Sequence, residues 1–183
     1  MLCLALDVSD LIVPRPSQVI ATLWVRMPVL WPHILQTLWT TMIGFALGVI
    51  VGVVIGALIG TSRVAYDTAY PLLIGFSSIP KVAVVPIFVL WFGAGPVPAG
   101  LTALAMCFFP IVVNIATGLA TTEPEMEDVL KSLGASKMDL LLNVGLPRTM
   151  PFFFASLKIA ATFAFVGTVL AETVASNKGI GNV

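Results

Sequence analysis

The feature that most constrains the fold is a series of long segments almost free of charge. Four segments contain at most one Asp, Glu, Lys or Arg each: residues 34–60, 69–92, 97–120 and 150–171. About 20 mostly apolar residues form a helix long enough to cross the hydrocarbon core of a bilayer. Only helices and closed barrels satisfy their own backbone groups in lipid. The sequence therefore predicts an all-α, polytopic transmembrane helical bundle with a span in each segment.

Composition excludes the soluble classes of protein. Hydrophobic residues make up 58% of the chain and charged residues 10%, whereas a soluble domain has about 25% charged residues. The formal net charge is zero, so the chain offers no basic field for nucleic acid. Cys3 and Cys107 lack the spacing of a metal site, and each is expected to be a small buried side chain. The first ten residues lack the basic region of a signal peptide.

Glycine recurs at every fourth position of the first predicted span. Glycines at this spacing lie on one face of a helix and leave it without side chains, which allows a second helix to approach closely. Glycine is common in membrane helices in general, but five in register predict close packing against a neighbouring helix. The five are Gly44, Gly48, Gly52, Gly56 and Gly60.

The second predicted span is interrupted by proline and carries a charge. Pro71, Pro80 and Pro86 each lack an N–H and disturb a helical turn, and Lys81 follows Pro80 directly. An ammonium group at membrane depth must face protein or water. Three interpretations stay open: Lys81 lines a translocation path with Pro80, Pro86 and Glu172, it pairs with Glu172 as a structural partner, or it lies nearer a membrane interface.

The insert between the third and fourth spans, residues 122–148, is amphipathic. The chain has nine basic and nine acidic residues, and eight of these 18 lie in the insert. Thr122 and Glu125 have the spacing of a capping box, and Gly134 is a typical helix stop with positive φ. Between them, apolar residues recur at helical spacing, which predicts one short helix with an apolar face. These residues are Met126, Val129, Leu130 and Leu133.

A second short helix is predicted in the rest of the insert. Ser136 and Asp139 repeat the capping pattern, and Pro147 is expected to end the helix. Its apolar face comprises Met138, Leu141, Leu142 and Gly145. The apolar faces of both helices are expected to lie against the protein's own spans. The insert has five acidic and three basic side chains, so attraction to anionic lipid explains it poorly. A protein partner with a groove for a helix explains it better.

The insert also carries a recognisable motif. Residues 128–134 read DVLKSLG and residues 144–147 read VGLP, which resembles the EAA loop of ABC-importer permeases: Glu-Ala-Ala, three residues, Gly, and later Ile-x-Leu-Pro. The departures are Asp for the Glu, Val-Leu for the two alanines, and Val for the Ile. The resemblance implies a cytoplasmic helix-turn-helix coupling loop that docks into a separate ATPase. The coupling residues that it implies are Asp128, Gly134, Ala135, Leu146 and Pro147.

Other blocks narrow the resemblance. They read LIVPRPSQV at 11–19, IPKVAVVPI at 79–87, LWFG at 90–93 and AETVASNKGIG at 171–181. In this order they resemble the nitrate/sulfonate/bicarbonate/taurine group of permeases, which includes permeases for riboflavin and thiamine precursors. Members of the group usually have six spans. Residues 1–183 are therefore expected to form a single permease transmembrane domain that lacks the family's first and last spans.

The resemblance implies a function and a set of partners. The chain would be the permease of an ABC type I importer in the bacterial inner membrane and would work by alternating access. Its partners would be an ATPase that binds the ATP, a second permease copy in a homodimer, membrane lipid, and a periplasmic or lipid-anchored solute-binding protein. The solute would be a nitrate-, sulfonate- or taurine-like anion or a vitamin precursor such as riboflavin or a pyrimidine.

Two other functions fit part of the sequence. A secondary transporter would also tolerate a broken helix and Lys81, but it would usually carry acidic residues at membrane depth, where only Glu172 lies close. A membrane scaffold would explain the glycines but not the capped insert. The chain has no GxxxxGK[ST], HExxH or GxSxG motif, and His33 is expected at a membrane interface, so neither a catalytic residue nor a metal site is predicted.

Overall fold

The computed structural model describes residues 16–121, 129–130 and 132–183, and its regular elements there are all helical, which confirms the all-α prediction. Six α-helices, two 3-10 turns and one π-helical turn have both ends within the described residues. In chain order they are α1 Pro16–Gly60, α2 Arg63–Ser77, the 3-10 turn Lys81–Val84, α3 Val85–Phe92, α4 Pro96–Ala120, α5 Lys137–Leu140, the π-turn Leu141–Gly145, α6 Leu146–Ala175 and the 3-10 turn Ile180–Asn182.

Three helices in the described residues are long and apolar enough to cross a membrane, namely Pro16–Gly60, Pro96–Ala120 and Met138–Ala175. Helix α2 and the chain from Lys81 to Phe92 form a bent pair. If this pair counts as one span, it is the fourth candidate span in the described residues. Helix α1 is 45 residues long, which corresponds to about 70 Å at 1.5 Å per residue. It therefore begins well before residue 34, and its residues 16–29 are exposed.

The predicted second span, 69–92, falls on this bent pair and is interrupted, as its prolines predict. The two halves bend by 77°, and the break lies at residues 78–80, where Pro80 has an extended backbone with ψ of 95°. Proline disfavours the helical conformation of the residue before it and donates no hydrogen bond. Pro71 stays inside α2, and Pro86 lies in the first turn of α3, where proline is tolerated. Only Pro80 therefore coincides with the break.

Helix α4 lies at the centre of the bundle, with α1 and α6 packed along it. Its small and branched residues form the core together with two alanines of α6. The fully or almost fully buried members are Ala103, Cys107, Ile111, Ile115, Leu119, Ala160 and Ala164. Cys107 is buried, as expected for an isolated cysteine, whereas Cys3 lies outside the described residues.

The glycine face of α1 lies directly on α4. All five glycines of the series are buried. A Cβ on Gly52 would lie 2.9 Å from the Cβ of Ile111, and one on Gly60 would lie 2.8 Å from the carbonyl oxygen of Ala116. Both distances are shorter than a van der Waals contact, so the two helices are closer than any side chain on these positions would permit.

We predict that Gly52→Ala lowers the stability of the bundle. The added methyl group meets Ile111 and forces the helices apart, and such overpacking typically costs about 1–3 kcal/mol. Gly75→Ala is the matched control, because no atom lies within 4 Å of a Cβ at that position in α2. Thermal unfolding in detergent compares the two variants. Equal unfolding temperatures would contradict the close packing of α1 on α4.

Candidate functional site

The first helix of the insert ends at Gly134. Its last turn closes with a hydrogen bond from the Ala135 N–H to the Leu130 carbonyl oxygen at 3.0 Å, and Gly134 has a φ of 86°. This six-residue closure around a left-handed glycine is the Schellman motif. The expected helix stop with positive φ is confirmed. Thr122, Glu125, Met126 and Asp128 lie outside the described residues.

The second helix of the insert begins with a capping box. The Asp139 N–H donates to the Ser136 Oγ at 3.2 Å, and the Asp139 carboxylate accepts from the Ser136 Oγ at 2.6 Å and from the Ser136 N–H at 2.9 Å. The hydrogen bond from the Ser136 hydroxyl, followed by that from its N–H, lowers the pKa of the exposed Asp139 from its ordinary value. The predicted restart of the helix at Ser136 is confirmed.

The prediction that Pro147 ends this helix is wrong. The chain passes through the π-turn into α6, with the Leu146 N–H bonded to the Leu141 carbonyl oxygen five residues back. An ordinary α-turn would place the proline ring against a carbonyl oxygen and would leave that oxygen without a donor. The wider π-turn accommodates Pro147 in the first turn of α6. The second helix of the insert and the last span are therefore one helical rod, Met138–Ala175.

The apolar side chains of the insert point away from the bundle more than expected. Leu141 packs against the core, and Leu130 is half-buried. The remaining described apolar residues of the two predicted faces are exposed by half or more: Val129 59%, Leu133 77%, Met138 60% and Leu142 52%. The expectation that both apolar faces lie on the protein's own spans is corrected, because the turn at Gly134 directs most of these side chains outward. We refer to these four residues as the insert apolar surface.

Lys81 lies in a groove beside the break in the second span. Its Nζ donates to the Ser77 carbonyl oxygen at 2.8 Å and lies 5.0 Å from the centroid of the Phe109 ring. The groove has a volume of about 380 Å³ and runs between α2, α4 and α6. Its lining residues are Ile74, Ser77, Lys81, Met106, Phe109, Pro110, Val113, Asn114 and Phe163. The break therefore places a cation in a mostly apolar groove.

Glu172 does not pair with Lys81. Its side chain is 1% exposed, and its Oε2 accepts hydrogen bonds from the Thr37 hydroxyl at 2.7 Å and from the Gly181 N–H at 3.3 Å. This network lies at the end of the bundle opposite the insert. The hypothesis that Lys81 and Glu172 form a structural pair is therefore wrong, because the two side chains lie in separate environments.

His33 lies within α1 rather than at the head of a helix. Its Nδ1 is 3.0 Å from the Gly179 nitrogen and 3.2 Å from the Gly179 oxygen. Nδ1 can accept a hydrogen bond from the Gly179 N–H in one tautomer or donate one to the Gly179 oxygen in the other, and either bond holds the chain that follows α6. This contact and the role of Thr37 were not predicted from the sequence. The spacing offered a signal, because His33, Thr37 and Thr41 lie four residues apart on one face of the helix, and polar groups can form hydrogen bonds between membrane helices.

The described residues contain no group of three His, Cys, Asp or Glu side chains that could hold a metal ion. The positions that remain as candidates for function are the insert apolar surface, the turn at Gly134, the Lys81 groove, and the Glu172 network.

We predict that the Lys81 groove is filled with water in the membrane. In a chain with Cys3→Ser, Lys81→Cys should react with a water-soluble maleimide within minutes, because the thiol needs water to ionise. The buried Cys107 is the internal control and should stay unreacted. Leu47→Cys, which is exposed in the apolar part of α1, tests for labelling through lipid. A reaction at Lys81→Cys no faster than at Leu47→Cys would contradict a water-filled groove.

The chain is similar to known families of membrane protein. Residues 44–183 match the family described as "Binding-protein-dependent transport system inner membrane component". The chain is 32% identical over 171 residues to the formylaminopyrimidine transport permease protein of Halalkalibacterium halodurans. It is 37% identical over 172 residues to the riboflavin transport system permease protein of Chloroflexus aurantiacus, and 28% identical over 180 residues to the nitrate import permease protein of Synechococcus elongatus.

These alignments cover most of the chain but only part of each relative. They include 93%, 93% and 92% of the chain, and 68%, 64% and 64% of the respective relatives. The similarity thus extends over the whole bundle described above, and the chain spans about two thirds of the length of these relatives.

Proposed function

The chain belongs to the family of binding-protein-dependent transport system inner membrane components, and on that premise we propose that it is the permease subunit of an ABC importer, driven by a separate ATPase. The family consists of transport permeases, not enzymes, and with its apolar helices this member is a multi-pass protein of the inner membrane. The chain has no GxxxxGK[ST] motif, so the partner ATPase would bind the ATP.

The observation that carries the proposal is the geometry of the insert. Leu133 and Met138, on either side of Gly134, are 77% and 60% exposed at one end of the bundle. Exposed apolar side chains in a short helix fit a partner with an apolar cleft. The ATPase would therefore receive the insert apolar surface, with Asp128, Ala135, Leu146 and Pro147 as further residues of the coupling loop.

The continuous rod of α6 provides a route for the motion. A displacement of the insert by the ATPase would reach α6 without a flexible joint, because the chain is helical from Met138 to Ala175. Helix α6 packs along α4, and α4 packs along α1. Alternating access then requires two packings of these helices that the ATPase, the solute and the binding protein favour to different degrees.

The solute path and the remaining partners follow from the same proposal. We place the path at the Lys81 groove, with Pro80 and Pro86 shaping the broken span beside it. Glu172 is held in a separate buried network, so we leave it out of the path. A second permease copy would complete the pathway, and a solute-binding protein would deliver the solute.

The range of solutes is taken from the relatives. Their names give formylaminopyrimidine, riboflavin and nitrate as transported compounds. We propose that this chain imports a compound of that range: a nitrate-, sulfonate- or taurine-like anion, or a vitamin precursor. Solute binding by the partner binding protein would identify which.

We predict that Gly134→Val uncouples ATP hydrolysis from transport. No atom lies within 4 Å of a Cβ at Gly134, so the added side chain meets no obstacle. Its cost comes from the positive φ, which is roughly 1–3 kcal/mol for a residue that is not glycine. Gly134→Asn is the matched control, since asparagine tolerates this conformation. The measurement is ATPase retention and solute-stimulated hydrolysis in the complete complex.

Gly134→Val should lose several-fold in stimulated hydrolysis, and Gly134→Asn should remain close to the parent protein. If Gly134→Val keeps full ATPase binding and full stimulation, the insert is not the coupling element. A location at the lipid surface would then explain its amphipathic pattern better.

We predict that Leu133→Ser weakens ATPase binding by about tenfold or more. Burial of a leucine side chain contributes about 1.5–3 kcal/mol, and 1.4 kcal/mol corresponds to a factor of ten in affinity. Leu58→Ser is the matched control: Leu58 is 68% exposed, lies near the same end of the bundle and is not part of the insert. Affinity is measured with purified ATPase and the permease in nanodiscs. Equal affinities for both variants would contradict docking through the insert apolar surface.

A further inference from the structure

The chain that follows α6 is held against two helices by partly buried hydrogen bonds. We call residues 176–183 the C-terminal loop. On the α1 side, the Ile180 N–H donates to the Thr37 hydroxyl at 2.8 Å, and the Gly179 N–H donates to the His33 Nδ1 at 3.0 Å. On the α6 side, the Gly181 N–H donates to the Glu172 carboxylate at 3.3 Å. Thr37 and Glu172 are bonded to each other, so one network joins both helices and the loop.

The loop backbone lies directly on α6 because two glycines leave room for it. Gly179 has a φ of 123°, and a Cβ there would lie 2.1 Å from the carboxyl carbon of Glu172. A Cβ on Gly181 would lie 2.4 Å from the Val169 carbonyl oxygen. The carboxylate thus packs on the glycine backbone, and 1% of the Glu172 surface remains exposed.

The same end of the bundle is where α1 and α6 meet. Thr37 bonds to Glu172, and one turn further Thr41 donates to the Thr168 hydroxyl at 2.9 Å. Both pairs are buried. Closer to the insert, the glycine face of α1 and the small residues of α6 both pack on α4. The direct bonds between α1 and α6 in the described residues are therefore concentrated at the end away from the insert.

We propose that Glu172, Thr37 and the C-terminal loop form a clasp that holds α1 and α6 together as a fixed pivot during transport. The clasp contains a carboxylate bound by a hydroxyl and a backbone N–H in an environment of low dielectric constant, where such bonds are strong. Helix α6 is a rod without a joint from the insert to the clasp. A rod held at one end and displaced at the other rotates about the held end.

The pivot can be tested with two pairs of spin labels in the complete complex. One pair, Leu35→Cys on α1 and Val174→Cys on α6, reports on the clasp end. The other, Leu58→Cys on α1 and Met150→Cys on α6, reports on the insert end. All four side chains are exposed, and both pairs are introduced after Cys3→Ser. The expected result is that ATP changes the distance of the insert-end pair by several ångströms and leaves that of the clasp-end pair unchanged.

The pivot rests on the proposed coupling to an ATPase. The two spin-label pairs distinguish a failure of the pivot from a failure of the proposed function. A change of equal size at both ends would overturn the pivot while the coupling stands. No change at the insert end would contradict the proposed function itself, and the pivot with it.

A single substitution tests the clasp without ATP. Thr37→Val removes the hydroxyl that bonds Glu172 and Ile180 and keeps the shape of the side chain. Amide hydrogen exchange of residues 176–183 should become at least tenfold faster, while exchange in α4 stays unchanged. Thr173→Val is the control, because Thr173 is exposed next to Glu172 and bonds its own helix at Val169. Unchanged exchange in Thr37→Val would overturn the clasp.

Discussion

The close contact of α1 with α4 is the interaction on which the rest of the structure depends. In lipid, no hydrophobic effect drives one apolar helix onto another, so association relies on van der Waals contact and on interhelical hydrogen bonds. The glycine face provides that contact: Gly48 packs against Cys107, and Gly56 packs against Ile115. Because α4 also packs along α6, the position of α1 fixes the position of the central helix and, through it, the helix that continues from the insert.

The two ends of the bundle differ in how they are held. At the insert end, α6 begins in a π-turn, and the insert apolar surface is exposed by half or more. At the other end, Glu172, Thr37 and the loop around Gly179 form a buried polar network. An asymmetry of this kind suits a protein that receives motion at one end, since a bundle fixed at both ends would resist displacement and a bundle free at both ends would not transmit it.

Several features were readable from the sequence because they depend on neighbours along the chain. The helix stop at Gly134 follows from one residue's freedom to take a positive φ, and the restart at Ser136 follows from a capping pattern three residues long. The effect of Pro147 was misread for the opposite reason. Whether a proline ends a helix or is accommodated by a wider turn depends on packing of the flanking segments, and here Leu141 is held against the core while Leu146 begins the last span.

The class of the protein can be read from its sequence alone. Charge-free segments of this length allow only membrane-spanning helices, and glycine at every fourth position requires a close neighbour. The sequence could not determine which helix that neighbour is, where Lys81 and Glu172 find their partners, or which side of the insert faces outward. Most of those contacts join residues distant along the chain, such as Gly52 with Ile111 and Thr37 with Glu172, and a pattern with a period of three or four residues carries no information about them. Only the packing of the helices decided these contacts.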